Sequence, residues 1–562
     1  MPGAIIHRAK KSVKKANIYV LAAIPPDAFT TSRMVARHDG NMPPEKSGMM
    51  EAENNQARQP TVIDLFTAGK FADMETLARR QLDTAPDDGT AWKALGVALK
   101  MQGKDAFAAL ERAADLLPDD ALAQFNYGVA LHDAKDLDKA VGYYKRSIEL
   151  DPANFRALNN LGNALRDMGD QTAAEAMYRK ALVSDSNFAE AHYNLGFLLQ
   201  EKFEHEKAIP EFLEAIKLSP NYINAHINLA HCYNFVGMSG DAARHYQEAL
   251  RLSPHSADAK NGFAGLLLSH ENYATGLTLY EARLALPTKS GGRRIPDLPF
   301  PQWKGEPLNG KKILIYHEQG FGDAIQLIRY AAEIKRLGAR VTLLTTKQLA
   351  TLMQTASGLD HIVLSAEDAQ DSDYYILMFS IPYRMGTRIN TIPNSVPYLR
   401  AKADRVETWR NRFAGPGLKV GIQWAGNPSY VNDRNRSLPS NKILAPLWEI
   451  KNVTFYSLHR GQEEATPMIP LGPETGDFGE TAAILQNLDL IISVDTAFAH
   501  LAGALARPVW IMLSAKQPDW RWHRNRTDSP WYPTAKLYRQ KVPGDWGEVI
   551  ANIARDLTKI RQ

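Results

Sequence analysis

A single cysteine, Cys232, excludes an internal disulfide framework and any zinc site built on several thiolates, and points to a reducing compartment, the cytoplasm. No apolar run approaches the roughly 18 residues that a membrane-spanning helix requires, so no transmembrane segment is expected. Charge of one sign is lacking too. The net charge is +4, and residues 1–50 hold eight Lys or Arg against three Asp or Glu, which leaves the rest of the chain near neutral. A nucleic-acid binder normally carries a basic face, so DNA and RNA are not expected partners. Residues 1–56 pair the basic run "RAKKSVKKA" with the short apolar "IYVLAAI", without a convincing secretory core or cleavage site. They are expected to be disordered, with Met49 and Met50 as alternative starts.

What is abundant is repetition. Between residues 57 and 287 equivalent residues recur every 34 positions, the period of helix-turn-helix tetratricopeptide (TPR) units. Gly128, Gly162 and Gly196 share one site, Ala140, Ala174, Ala208 and Ala242 a second, and Tyr144, Tyr178, Phe212 and Tyr246 a third. Small residues let two helices cross closely, the aromatic fills the gap beyond, and Pro152, Pro220 and Pro254 end the second helix. With "AWKALGVAL", a unit shortened by two residues, and a degenerate unit upstream, about seven repeats are expected in an all-α solenoid with a long concave surface.

Asn126, Asn160, Asn194 and Asn228 also stand 34 apart, two positions before the small residue of each first helix. A carboxamide offers both a donor and an acceptor, so a ladder of them facing the groove can grip a peptide or protein partner by its backbone. The arrangement, with Asn163 as a second asparagine, resembles the ladder of the O-GlcNAc transferase superhelix. The alternative is that these side chains bond only to neighbouring helices or water.

Residues 288–310 are rich in Gly and Pro and read as a linker along a surface. From Lys311, "KKILIYHEQGFGDAIQLIRYAAEIKRLGARVTLLTT" reads as strand, glycine turn, helix and strand, the start of a parallel sheet. "LKVGIQWAG" opens a second set, continued by "VTFYSLH" and "LDLIISV". The expected fold is therefore multidomain: a TPR solenoid followed by two Rossmann-like α/β lobes, 311–417 and 418–562, with a cleft between the carboxyl ends of their strands.

"HEQGFGDAIQLIRY", "GIQWAGNP", "NDRNRS" and "LDLIISVDTAFAHLAGALARPVWIML" together resemble the TPR-linked relatives of glycosyltransferase family 9, the ADP-heptose heptosyltransferases, whose fold is GT-B. The resemblance covers 311 to about 540. It implies transfer of a sugar from a nucleotide-sugar, bound as substrate in the second lobe, to an acceptor hydroxyl held by the first, by inversion, with no cofactor and no metal.

Within that resemblance, Asp495, Thr496 and Ala497 open a helix directly after a strand, where free amides and the positive helix end can hold a diphosphate; a plain N-cap is the alternative. His500 lies one turn on and can reach a phosphate or ribose, or pack beside the strand. Arg434 and Arg436 can stabilise a departing diphosphate or stand solvated on their loop, and Trp424 and Asn427 of "GIQWAGNP" fall on the donor side. Asp323, after the turn glycines Gly320 and Gly322, matches the family's general base and can equally cap its helix. His317 and Glu318 are back-up bases. Asp371 and Asp373 spell an Asp-x-Asp metal motif but read better as a turn before "YYILM". Trp520, Trp522 and Trp531 read as packing of a C-terminal extension rather than a stacking wall.

Two expectations remain open. The first lobe is short, about a hundred residues, so either the repeats complete the acceptor site or activity is lost. The rival function is a TPR scaffold with an inactive GT-B-like domain. A two-carboxylate glycosidase is disfavoured because no suitable pair stands out.

Overall fold

The computed structural model describes residues 60–286, 298–430, 432–461, 465–516 and 518–560. The expected disorder over 1–56 and the first half of the 288–310 linker lie outside the described residues.

Seven helix pairs run from Val62–Thr67 to Tyr273–Tyr280 among the described residues. Their starts are set by local chemistry: Asp88, Asp120, Asp136, Asn154 and Asp170 each accept hydrogen bonds from amides of the turn that follows. Their ends come two residues before the prolines, at Leu150, Leu218 and Leu252; Ser186 stands where a proline would, and that helix still ends at Ser184.

The small-residue site works as a contact. A Cβ on Gly162 would fall 2.6 Å from the Tyr178 ring and 3.2 Å from the Ala174 carbonyl oxygen. Gly128 and Gly196 face Tyr144 and Phe212 in the same way, and in the shortened unit Gly96 faces Leu110. Because these rings are buried, any larger residue there would have to push one helix off the next.

By packing, the chain forms two compact units that divide between Ala225 and His226, inside the helix Ile223–Phe235. The first unit holds the earlier repeats. The second takes in the later repeat helices together with all the α/β structure, and a single apolar core joins Tyr273, Leu277 and Tyr280 of the last repeat to Ile313, Ile328 and Ile491 of the lobes.

The first lobe is a parallel sheet of β1 (Lys312–Tyr316), β2 (Arg340–Leu344), β3 (His361–Val363) and β4 (Tyr374–Leu377), ordered β3-β2-β1-β4. The described part of the linker covers the edge at β4: Trp303 N–H donates to the Tyr375 carbonyl at 2.7 Å and Tyr375 N–H to that of Pro301 at 3.0 Å.

The second lobe contains β5 (Leu418–Gln423), β6 (Val453–Ser457), β7 (Ile469–Pro470), β8 (Leu490–Val494), β9 (Val509–Leu513), β10 (Asp528–Ser529) and β11 (Tyr532–Arg539). Their order is β10-β11-β9-β8-β5-β6-β7, parallel except for β10. Strand direction of travel reverses between β1 and β4 in one sheet and between β5 and β8 in the other. Ligands of open α/β sheets bind outside the carboxyl ends of strands at such reversals. This is a TPR solenoid followed by an α/β, GT-B-like pair of lobes. No helix among the described residues is long and apolar enough to cross a membrane.

Candidate functional site

Both reversals carry a turn singled out in the sequence. His317 to Asp323 follow β1, and Asp495 to Ala497 follow β8. The two turns touch. A Cβ on Gly322 would lie 2.8 Å from His500 Cδ2 and 3.3 Å from Ala497 Cα, so the glycine is needed for the helix Phe321–Leu327 to meet the start of Ala497–Ala504.

Asp323 accepts a hydrogen bond from Gly320 N–H at 3.0 Å, so it does cap its helix. Its other oxygen pairs with Arg521. The same guanidinium grips Asp519 through Nε and Nη2, both at 2.7 Å, and donates to Gln326 Oε1 at 3.0 Å. Asp519 and Arg521 were missed in the sequence because "PDWRWHR" was read for its tryptophans; an Asp-x-Arg pair in that run was the available signal. The packing reading of those tryptophans agrees with their burial: Trp522 and Trp531 are fully enclosed, and Trp531 Nε1 donates to the Tyr273 hydroxyl at 3.1 Å.

Arg436 arrives from the second lobe. It donates from Nη1 to the Asp495 carbonyl at 2.8 Å, pairs with Asp433 at 3.0 Å, and lies over the Tyr430 ring. Tyr430 is half-exposed, yet burial and then the charges of Asp519 and Asp495 push its phenol up to about 12. Arg434 is exposed on the short helix Asp433–Arg436, which also carries Arg436. Asn427 builds the loop, its Oδ1 accepting from Ser429 N–H at 3.0 Å, and Trp424 packs on His459.

His500 is buried, stacked on Trp522 at 5.0 Å and bonded through Nδ1 to the Tyr532 hydroxyl at 2.9 Å. Burial, then the charge of Arg521, holds its pKa well below the ordinary value, so it is neutral. Of its two expected uses, packing beside the strand is the one its contacts serve. Thr496 and Ala497 remain half-buried at the mouth, where Thr496 Oγ1 meets Ser493 Oγ at 3.1 Å.

Burial, and then the Asp519 charge, pushes the Asp495 carboxyl up to about 6. A carboxyl held above its unfolded value of about 4 binds its proton more tightly in the folded protein. Its stabilising contribution is therefore full below pH 4 and lost as pH rises through 6. Asp495→Asn is expected to flatten stability across that window, with a gain on the order of 1–3 kcal/mol at pH 7 and almost none at pH 4, measured by urea unfolding.

The two back-up bases differ in their surroundings. Glu318 pairs with Arg283 at 2.9 Å, which ties the turn to the segment after the last repeat helix. His317 lines a cavity of about 280 Å³ at the ends of β1 and β2. Asp371 and Asp373 lie at the opposite, amino end of the sheet: Asp373 accepts from Lys312 N–H at 2.8 Å and Asp371 pairs with Lys312, the turn before β4. No group of three or more His, Cys, Asp or Glu placed to hold a metal occurs among the described residues.

The four asparagines of the expected ladder are closely packed. Asn126, Asn160, Asn194 and Asn228 are only 1%, 3%, 4% and 1% exposed, so they do not stand open in a groove. Asn194 Nδ2 donates to Asn159 Oδ1 of the preceding helix pair at 2.9 Å, and within one helix Asn163 Nδ2 donates to Asn160 Oδ1 at 3.4 Å, contacts of the kind the alternative reading expects.

Known families match two parts of the chain. Residues 102–155, 143–176, 189–222 and 237–289 match models of the tetratricopeptide repeat, and 162–202 a model described as TPR repeat. Residues 448–525 match the model of glycosyltransferase family 9 (heptosyltransferase), which takes in Asp495, Thr496, His500, Asp519 and Arg521 but not the first lobe. Protein FlbA of Caulobacter vibrioides is 25% identical over 327 residues, 52% of this chain and 54% of its own length, so the chain spans about half of that relative. Among solved structures, YrrB, described as a TPR protein with an unusual peptide-binding site, gives a TM-score of 0.28 at 23% identity, over 32% of this chain and 91% of its own. PilF of Pseudomonas aeruginosa gives 0.32 at 19%, over 34% and 88%.

Proposed function

We propose that the α/β part is an inverting glycosyltransferase acting in the cytoplasm, with 311–417 on the acceptor side, 418–562 on the nucleotide-sugar side, and a peptide or protein partner bound by the repeats of 57–287. The observation that carries this reading is the meeting of the two strand-reversal turns, Gly322 of the first lobe against Ala497 and His500 of the second, the latter within the stretch that matches the family 9 model.

The donor's diphosphate sits at the Thr496–Ala497 helix start, where amides lack helical acceptors, with Arg436 beside it and Arg434 on the approach. A carboxylate has about four lone-pair sites. Asp323 uses two of them, for Gly320 and Arg521. A remaining lone pair takes the proton of the acceptor hydroxyl as that oxygen attacks the anomeric carbon. The bond from that carbon to the diphosphate oxygen breaks on the opposite face, which inverts the centre, and Arg436 and the helix start receive the leaving charge. The scaffold reading draws on one observation, the full engagement of His500 in packing.

Calorimetric titration with UDP, GDP, ADP and CMP sugars tests the proposal. Saturable binding of at least one is expected, abolished by Thr496→Glu, which puts a carboxylate where the diphosphate lies; no binding to any would leave the scaffold. For the repeats, Asn160→Ala with Asn194→Ala is expected to cost about 1–3 kcal/mol by orphaning buried carboxamides, with partner capture per folded molecule retained. Capture lost from a fully folded double variant would restore the ladder as the grip.

A further inference from the structure

A cavity of about 390 Å³ lies where the last two repeat units meet the second lobe, at the carboxyl ends of β9 and β11. It is two strands away from the β5–β8 reversal, and none of the donor-side residues lines it. Its polar lining comes from Ser239 and His270 of the repeats and from Ser514, Arg524, Arg539 and Gln540 of the lobe. No carboxylate is among its described lining residues.

Both arginines are held by neutral acceptors. Arg524 Nη2 donates to the Asn234 carbonyl at 2.6 Å and to its Oδ1 at 2.8 Å, and Arg539 donates to the carbonyls of Arg526 and Trp522. Glu271 and Asp528, from the neighbouring repeat turn and strand, pair with Arg526 instead. Donors are left over. Arg524 Nε and Gln540 Nε2 are buried with no hydrogen-bond partner among the described residues. Gln540 is only 5% exposed, and its Oε1 is committed to Ala515 N–H and Gly544 N–H, both at 3.2 Å. Burial lowers the Arg524 pKa, and burial followed by the charge of Arg524 lowers that of Arg539 to about 10, the mark of two cations without a counter-ion.

We infer that this cavity binds a small molecule through an oxyanion group, a phosphate ester or a carboxylate, at a site separate from the sugar-donor site. An oxyanion would accept from Arg524 Nε and Gln540 Nε2 and offset both guanidinium charges, which is the arrangement arginine forks favour. The volume falls within the range of small-ligand pockets, about 300–1,000 Å³, and exceeds what a bare ion fills. The inference does not depend on sugar transfer.

Titration of the full chain with glucose 6-phosphate, glucuronate and glucose tests it. Saturable binding of at least one of the two anions is expected, with none of glucose; the anion that binds tells phosphate from carboxylate. Gln540→Glu keeps the acceptor for the two amides and replaces the free donor by a negative oxygen, so it should weaken binding about tenfold or more with the melting temperature retained. Arg539→Gln should do the same. Thr496→Glu should leave anion binding unchanged, which separates this site from the donor site. The inference is overturned if neither anion binds, if Gln540→Glu binds like the wild type, or if Thr496→Glu alone removes the binding.

Discussion

Asp323→Asn is expected to lower sugar transfer by about 10²–10⁴-fold while nucleotide-sugar affinity stays within a few-fold of the wild type. The substitution is isosteric and keeps an oxygen for the Gly320 amide that Asp323 caps at 3.0 Å. Arg521 retains its two-pronged grip on Asp519, so the fold survives, at a cost of about 1.5–3 kcal/mol for the charge-assisted bond from Arg521 that the amide NH2 cannot accept. What disappears along with that bond is the basic oxygen that accepts a proton. Single-turnover transfer and donor titration on the same preparation separate the two effects. Glu318→Gln is the control: its partner is the buried Arg283, so its deficit should appear in stability and not in the rate per folded molecule. Equal activity in Asp323→Asn and wild type would remove Asp323 from the chemistry.

How far the sequence reached depends on whether a signal was periodic, local or long-range. The repeat was legible because a glycine facing an aromatic sixteen residues on is dictated by one helix crossing, and Gly162 with Tyr178 shows that crossing. The strands and both reversal turns were legible because apolar runs ending in Gly-x-Gly-Asp or Asp-Thr are local events. The asparagines were legible as a pattern, with their direction left between two alternatives. Period places a residue on a helix, whereas only the packing of the adjacent pair decides whether that stripe faces the groove or the seam, as Asn194 bonded to Asn159 makes plain. The cluster around Asp323 was invisible for another reason. Arg521 stands 198 positions from Asp323, and nothing in either segment encodes the partner. The same holds for Arg283 and Glu318, and for Arg524 and Arg539, whose shared cavity exists only once repeat and lobe are folded together.

The largest stability effect is expected at Arg521. Its side chain is almost wholly buried and pairs with Asp323 and Asp519 while also bonding Gln326. Arg521→Met keeps much of the volume but leaves Asp323 and Asp519, and Asp495 close by, facing one another with Arg436 as the nearest remaining cation. Removing one partner of a buried ion pair costs about 3–5 kcal/mol, because the charge left behind is uncompensated. In the wild type burial works against the Asp519 charge, yet the grip of Arg521 holds its pKa below the ordinary value, so the pair's stabilisation is present above pH 4 and is lost as pH falls below it. In Arg521→Met the sign reverses: Asp519 is pushed above its unfolded value, and stability falls as pH rises. The deficit should therefore be greatest near pH 7 and shrink toward pH 4, as measured by urea unfolding at both. Arg521→Met combined with Asp519→Asn should recover part of the loss, since it removes the stranded charge along with its partner; if the double variant is no more stable than the single one at pH 7, the deficit comes from lost packing around Trp520 and Phe379 and not from the carboxylates.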